Sequence, residues 1–274
     1  MNKPLVSVIV TTKNNEETLG ICLQSIVKQS YQPLELIVVD NHSTDDTAEI
    51  AARYTQHFFT KGPERCVQRN YAVKKATGDF VLILDSDMKL DRDVVAACVK
   101  QAEEDLDIVG IVIPEESYGI GFWAKCKQLE RSFYQGVPWM EAARFFDRET
   151  FNAIGGYDET LVSGEDWDVS QRVAVLGKIT RISKIIHHNE GKLRLGRTLS
   201  KKRYYAKQFK MYTAKSTSRN VKSQTGIFKR YALYFKHPGR LLANPILSLG
   251  MLTMKTLEFL VGGIAYLTTS PQKD

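Results

Sequence analysis

Apolar residues in this chain come in short unbroken runs, and between the runs they recur at helical spacing. Residues 5–12 (LVSVIVTT) form a β-branched run that stops at Lys13-Asn14-Asn15, the pattern of a buried strand. Leu19, Leu23, Ile26 and Val27 then repeat every three or four residues and predict a helix over 16–28. Residues 34–39 (LELIVV) predict a second strand ending at Asp40. Ser43-Thr44-Asp45-Asp46 supply caps for a helix through Tyr54, with Asp45 and Asp46 read as capping and surface residues. The alternation continues with a short strand over 57–60, a helix over 67–76 closed by Thr77-Gly78, and a strand over 80–84 (FVLIL) ending at Asp85. A helix over 91–104 and a strand over 108–113 follow. Regular alternation of this kind predicts an α/β fold, a mostly parallel Rossmann-like sheet with helices on both faces. Such sheets bind ligands beyond the carboxyl ends of their strands, where Asp40 and Asp85 lie.

The second half is less regular. Its pattern predicts a helix over 119–137 with aromatics on one side, a strand over 144–146, a helix over 148–154 and a turn at Gly155-Gly156-Tyr157-Asp158. A helix over 167–176, a strand over 179–187 and a basic, tyrosine-rich helix over 198–215 complete it. Phe122, Trp123, Phe133, Tyr134 and Trp139 fit either a core or the lining of a ligand cleft, and are left unassigned. Residues 241–267 are strongly apolar but interrupted by Pro245, Lys255 and Glu258. The segment is long enough to span a bilayer, yet two charges in its middle are costly in lipid. Lys255 and Glu258 sit three apart and can pair across one turn. The expectation is a helix lying in the membrane interface, with packing on the body or contact with a second copy as the alternative.

Charge changes this picture. The net charge of +7 conceals an asymmetry: residues 191–240 hold 15 of the 38 Lys and Arg and no Asp or Glu, so the rest of the chain is net acidic. An acidic body with a basic tail, followed by an apolar segment, points to an anionic surface as the tail's partner, and lipid headgroups fit. Nucleic acid fits poorly, because the tail has no recognised reading motif and the body would repel it. The expected organisation is an acidic body over 1–190, with halves over about 1–110 and 111–190, and a basic then apolar helical tail over 191–274. Cys22, Cys66, Cys98 and Cys126 show no CxxC spacing, which argues against a disulfide framework or zinc site and for a reducing compartment. Residues 5–12 are too short and too soon interrupted for a signal peptide. The expected location is the cytoplasmic side of the cell membrane, peripheral or monotopic.

Three acidic features carry the candidate chemistry. In Asp85-Ser86-Asp87, two carboxylates one residue apart follow a buried strand and can approach one hard divalent cation, Mg²⁺ or Mn²⁺. Alone, the same pattern often does no more than cap a helix. Gly164-Glu165-Asp166-Trp167-Asp168 precedes a predicted helix, where acids favour the dipole. Either Glu165 or Asp166 could instead accept a proton from an attacking hydroxyl, and spacing does not choose between them. Asp40, in VVDNHSTDDT, could bind a base or ribose, or could simply close its loop.

Together these segments resemble glycosyltransferase family 2. The blocks VSVIVTTKNNEETLGICLQSIVKQS, LELIVVDNHSTDDT, RNYAVKKATGDFVLILDSDM and FNAIGGYDETLVSGEDWDVSQRV follow one another in the family's order, over about residues 5–190. The resemblance implies a GT-A fold and inverting transfer of a sugar from a nucleotide-sugar donor, with UDP favoured, using Mn²⁺ or Mg²⁺. It implies that Asp40 binds the nucleobase, and that Thr11, Thr12 and Glu16 edge the nucleotide pocket. By the same resemblance, Arg69 and Asn70 pack near the donor, and Ser86 lies within the donor-binding motif. Asp85 contacts ribose or metal, and Asp87 is the direct metal ligand. His188, in HHNEG, falls where many relatives place a histidine near the metal or diphosphate. Asp166 looks like the catalytic base with Glu165 beside it, and Arg172 matches an arginine near the phosphates. The Gln-x-x-Arg-Trp motif of processive members is absent, which points to one transfer per encounter.

The expected acceptor is a hydroxyl of a glycan or of a lipid-linked intermediate met on an anionic membrane surface through residues 191–267, with a homo-oligomer through the C-terminal helices also open. The competing readings are a polyprenyl-phosphate glycosyl synthase, a nucleotidyltransferase, a basic-tail nucleic-acid-binding protein and a non-catalytic scaffold. Thr11-Thr12-Lys13-Asn14-Asn15 lacks the glycines a nucleotidyltransferase phosphate loop would use.

Overall fold

The structure is a computed structural model and describes residues 3–215, 223–224 and 226–268; the remainder of the expected tail, 216–222, 225 and 269–274, lies outside that set. Contacts divide the chain into two compact units. The first comprises residues 1–115, 142–159 and 165–189, and the second 116–141, 160–164 and 190–274.

In the first unit, β1 (Val6–Thr12) is buried along its whole length, as a β-branched run covered on both faces must be. It pairs in parallel with β2 (Leu34–Asp40) on one side and β4 (Phe80–Asp85) on the other. With β3 (Phe58–Thr60), β6 (Ile108–Val112), β8 (Ala143–Asp147) and β9 (Lys178–Arg181), these build a seven-stranded sheet of order β3-β2-β1-β4-β8-β6-β9. Only β8 runs antiparallel, against both β4 and β6. The register places Thr12 opposite Asp40 and Thr11 opposite Asp85, so the acids end the two strands that flank β1, at the same end of the sheet.

Helices cover both faces. On one, α1 (Glu16–Val27) buries Leu19, Cys22, Leu23 and Ile26, and α4 (Val94–Glu104) buries Val95, Cys98 and Val99. On the other, α3 (Arg65–Lys75) brings Cys66, Ala72 and Val73 to a second core with Phe146, Phe151 and Val169. The short α2 (Thr47–Ala52) starts where expected, and Asp45 accepts from the backbone N–H of Thr47. α6 (Arg148–Ala153) is capped by Asp147, whose carboxylate accepts from the Thr150 N–H at 2.7 Å.

Four sequence expectations change. A strand β5 (Met88–Leu90), too short for periodicity to reveal, follows the Asp85-Ser86-Asp87 turn. The expected single strand over 179–187 is two, β9 and β10 (Ile186–Lys192), and β10 pairs antiparallel with β5 so that His188 lies opposite Met88. The helix expected from 119 starts later: residues Glu115–Ile120 are a strand, β7, and Gly121 at φ +91° turns the chain into α5 (Phe122–Ser132). α7 begins at Glu165 rather than 167 and ends at Val173, which puts Glu165 and Asp166 in its first turn.

Among the described residues, the regular elements of the second unit are helices apart from β7 and the end of β10. It contains α5, α8 (Leu195–Lys215), α9 (Ile227–Phe235), α10 (Pro238–Ala243) and α11 (Pro245–Thr268), the apolar tail being broken at Asn244-Pro245. α11 packs on α8 and α5. Phe133, Tyr134, Tyr234, Met251 and Met254 form its core, so two of the unassigned aromatics are core residues. Lys255 and Glu258 are buried with Lys127 and Glu130. Lys255 Nζ reaches Glu258 at 2.6 Å and contacts Glu130, Lys127 Nζ lies 2.9 Å from Glu130, and the Tyr134 hydroxyl donates to Glu130 at 2.5 Å. The two charges that interrupt the apolar tail therefore turn inward, into a compensated cluster. All four cysteines are buried, and none is joined in a disulfide.

Candidate active site

The site is built entirely within the first unit, at the carboxyl ends of β1, β2 and β4. Its centre is Arg69, on α3, fully buried. One guanidinium nitrogen, Nη2, donates to Asp85 Oδ1 at 2.8 Å, and Nη1 donates to Asp166 Oδ1 at 2.8 Å and lies 3.7 Å from Glu165. Thus one side chain joins the two acidic motifs, which are about 80 residues apart in sequence. A buried guanidinium needs this: stripped of water, it stays only where its planar fork meets carboxylates. The Tyr157 ring lies under the guanidinium, 4.9 Å away, and its hydroxyl donates to Asp166 Oδ1 at 3.1 Å.

From Asp85 the charges alternate in the other direction. Arg144, at the start of β8, approaches Asp85 Oδ2 at 4.0 Å and donates from Nε to Glu115 at 2.6 Å. Glu115 Oε2 stands 3.7 Å from His188 Nδ1, and His188 Nε2 faces Asp87 Oδ2 at 3.3 Å. A continuous chain of opposite charges therefore runs from Asp87 through His188, Glu115, Arg144, Asp85 and Arg69 to Asp166. Burial alone would raise the Asp85 carboxyl, but Arg69, Arg65 and Arg144 outweigh it and hold it well below the usual carboxylate range. Burial would lower His188, but the neighbouring Asp87 and Glu115 carboxylates lift it to about 10. Glu165 is raised by burial and by the neighbouring Asp166 charge.

Geometry separates the two acids that spacing could not. The Glu165 side chain is 6% exposed and paired with Arg65 at 3.0 Å, whereas the Asp166 side chain is 27% exposed. Among the described residues, the hydrogen bonds from Arg69 and Tyr157 to the Asp166 carboxylate both fall on Oδ1.

The other expected residues divide. The Thr11 hydroxyl reaches Asp85 at 3.5 Å. The Thr12 carbonyl accepts from Gln68 Nε2 at 3.1 Å, and its buried hydroxyl has no hydrogen-bond partner. Ser86 accepts from Asn15 Nδ2 at 2.5 Å. Asp40 is buried and accepts from the Ser43 N–H at 2.8 Å and from the Ser43 hydroxyl, so its carboxylate shapes its own loop. Glu16 is exposed and accepts from the Asp46 N–H at 3.1 Å. Asn70 grips the Gly156-Tyr157 turn: it accepts from the Tyr157 N–H and donates to the Tyr157 carbonyl, both at 2.8 Å. A Cβ on Gly156, at φ +71°, would lie 2.5 Å from Asn70 Oδ1. Asn70 thereby sets the height of the Tyr157 ring under Arg69. Arg172 is anchored elsewhere, by Asp168 at 2.5 Å and the Ile154 carbonyl at 2.9 Å.

Arg144, Glu115 and Tyr157 were not singled out in the sequence. Arg144 had one signal, a cation opening an otherwise apolar strand (ARFF). Glu115 had none, because its role depends on a strand the periodicity does not reveal.

Among the described residues, no three His, Cys, Asp or Glu side chains converge as a complete metal cage. Asp87 and His188 nevertheless fit a hard divalent ion. Asp87 Oδ1 is buried without a hydrogen-bond partner, and an imidazole nitrogen faces the other carboxylate oxygen. Cations of this type commonly take one or two protein ligands and complete their shell with substrate phosphate and water.

The family pattern described as Glycosyl transferase family 2 matches residues 7–157. Among curated proteins, the chain is 30% identical over 187 residues to a PGL/p-HBAD biosynthesis glycosyltransferase of Mycobacterium bovis, covering 63% of this chain and 70% of that protein. It is 24% identical over 199 residues to the chondroitin synthase of Escherichia coli, covering 68% of this chain and 29% of that protein. An uncharacterized glycosyltransferase of Haemophilus influenzae is 40% identical over 96 residues, 32% of this chain and 38% of that protein. The chain thus spans well under half the length of the latter two relatives. Among solved structures, the mannosyltransferase PcManGT from Pyrobaculum calidifontis, in complex with GDP-Man and Mn²⁺, superposes with a TM-score of 0.64 at 18% identity, over 97% of this chain and 88% of that one. S. aureus TarS with UDP gives 0.53 at 19% identity, over 85% and 71%. These likenesses show the GT-A fold. With the family pattern covering more than half of its length, the chain belongs to glycosyl transferase family 2, a family of transferase enzymes.

Proposed function

We propose that the protein transfers a sugar, with inversion, from a nucleotide-diphosphate sugar to a hydroxyl of a glycan or lipid-linked acceptor. UDP is the favoured nucleotide, and the acceptor is met at the cytosolic face of a membrane. The observation that carries this reading is the Arg69 bridge, which mounts the accessible Asp166 and the donor-side Asp85 on one buried cation.

In the reaction, the acceptor oxygen attacks the anomeric carbon from the face opposite the diphosphate. The C–O bond to the diphosphate breaks, and its electron pair leaves with the nucleotide. The acceptor proton passes to Asp166, at Oδ2, because Oδ1 is held by Arg69 and Tyr157. Arg69 fixes the orientation of that carboxylate, and Asp85 is kept ionised to face the donor. Asp87 and His188 would hold a divalent cation, Mn²⁺ or Mg²⁺, which when bound neutralises charge on the departing diphosphate. Support for the cation is the orphan Asp87 oxygen, together with the Mn²⁺ named with PcManGT. UDP named with TarS, and GDP-Man with PcManGT, support a nucleotide-sugar donor.

Asp166→Asn tests the assignment. It keeps size and Oδ1, and removes the base. Transfer to a hydroxyl acceptor should fall by about 10²- to 10⁴-fold, with donor affinity nearly unchanged. Near-normal turnover would overturn the base assignment and favour an acceptor that arrives deprotonated, such as a polyprenyl phosphate.

A further inference from the structure

Most helices on a folded protein turn apolar residues inward and charges outward. α11 buries Met251 and Met254 in this way, but it also turns its only two charged residues inward. Its buried face carries Lys255 and Glu258, neutralised by Lys127 and Glu130. Its exposed positions recur every three or four residues along one stripe: Ile246, Leu249, Thr253, Thr256, Leu260, Ile264 and Leu267. No charged residue falls on that stripe. From 246 to 267 it extends about 32 Å at the rise of an α-helix. The stripe does not stop at the start of the helix. α10 has no buried residue at all, Leu242 is 75% exposed, and Phe235 and Phe228, both on α9, are 61% and 92% exposed.

Exposed cations Lys229, Lys236 and Arg240 stand among these apolar side chains. The sequence between Glu190 and Glu258 contains no Asp or Glu. A second copy of the same surface would therefore offer these cations no counter-charge from this segment, whereas anionic headgroups would.

We propose that the second unit docks on a membrane of anionic lipid with α11 lying in the plane of the interface, its outer stripe and the α10 elbow immersed and Lys229, Lys236 and Arg240 at headgroup level. α11 is long and apolar enough to cross a bilayer by length and composition. In this arrangement it does not cross, because a crossing would separate Lys255 and Glu258 from Lys127 and Glu130 or carry all four into lipid. The attachment is monotopic. The proposal rests on the membrane part of the functional reading above and not on its chemistry.

The test is flotation of the full chain with vesicles of phosphatidylcholine alone and of phosphatidylcholine with phosphatidylglycerol, no donor present. The wild type should float with the anionic vesicles, be released by alkaline carbonate, and bind neutral vesicles more weakly. Lys236→Gln with Arg240→Gln should lower partitioning about fivefold per charge. Ile246→Glu with Leu260→Glu should abolish flotation with an unchanged melting temperature, while Leu106→Glu, an exposed leucine of the first unit, should have no effect. A wild type that ignores both vesicles would overturn the docking and the membrane part of the functional reading together. Flotation unchanged by Ile246→Glu with Leu260→Glu would overturn the stripe alone. Resistance to carbonate would establish a crossing instead. A dimer in solution that these substitutions dissociate would make the stripe an interface between copies. None of these results bears on Asp166, which the transfer assay reads separately.

Discussion

Replacing Arg69 by Met isolates the one side chain that joins both acidic motifs. The methionine fills similar space but removes a cation that is fully buried and 2.8 Å from each of two carboxylates. Removing one partner of a buried ion cluster leaves charge without compensation and costs about 3–5 kcal/mol. For a unit of this size, 1 kcal/mol moves the melting temperature by about 2–4 °C, so Arg69→Met should melt about 10 °C lower. The loss should couple to its partners: in an Asp166→Asn background, one of the stranded charges is already gone. There the same substitution should cost about 1–2 kcal/mol less than in the wild type. Thermal unfolding of the four proteins of this cycle, followed by near-ultraviolet circular dichroism, measures both quantities. A single variant that melts within about 2 °C of the wild type, or effects that simply add, would refute the claim that Arg69 holds the motifs together.

Three further outcomes follow from the same geometry. Asp85 is held below its ordinary range, so its contribution to stability is full above the unfolded carboxylate value, about 4, and is lost as pH falls below it. The stability gap between wild type and Asp85→Asn in urea titrations should be flat from pH 7 to 5 and shrink below about pH 4. Gly164 has φ +86°, and a Cβ there would sit 2.7 Å from the Tyr212 ring, so Gly164→Ala should destabilise by about 1–3 kcal/mol, read by chemical denaturation. Lys255→Met leaves Glu130 and Glu258 buried with Lys127 alone. It should destabilise by about 3 kcal/mol, and Glu130→Gln in that background should restore part of the loss.

Much of this was legible in the sequence because the relevant signals are local. β1, β2 and β4 are continuous apolar runs, and a run ending in Asp announces an acid at a strand's carboxyl end, which is how Asp40 and Asp85 were found. The mutual arrangement was not legible. Arg69 reads as an ordinary helix residue until β4 and α7 are brought to either side of it. Asn70, expected beside the donor, grips the Gly156-Tyr157 turn, a contact that its place in the sequence does not reveal. β5 and β7 escaped because three residues, or six without alternation, carry no period, and Glu115 escaped with them. The tail was legible in part: Lys255 and Glu258 pair across one turn at 2.6 Å, as their spacing predicts. Lys255 and Glu258 read as interruptions of an apolar helix, whereas their side chains turn toward Glu130 and Lys127, residues no spacing rule could connect to them.

The measurement that tests the central claim most directly is a thermal-shift panel of the full chain with UDP, GDP, CMP and several UDP-sugars, each with Mn²⁺ and with EDTA, repeated on Asp87→Ala. A ligand that binds only the folded state raises the melting temperature, by about 2.7 kcal/mol of added stability at a hundred times its Kd. The account predicts a shift with a uridine nucleotide that requires Mn²⁺ and is lost in Asp87→Ala. No shift with any nucleotide in the folded wild type, or one indifferent to both Mn²⁺ and Asp87, would contradict it.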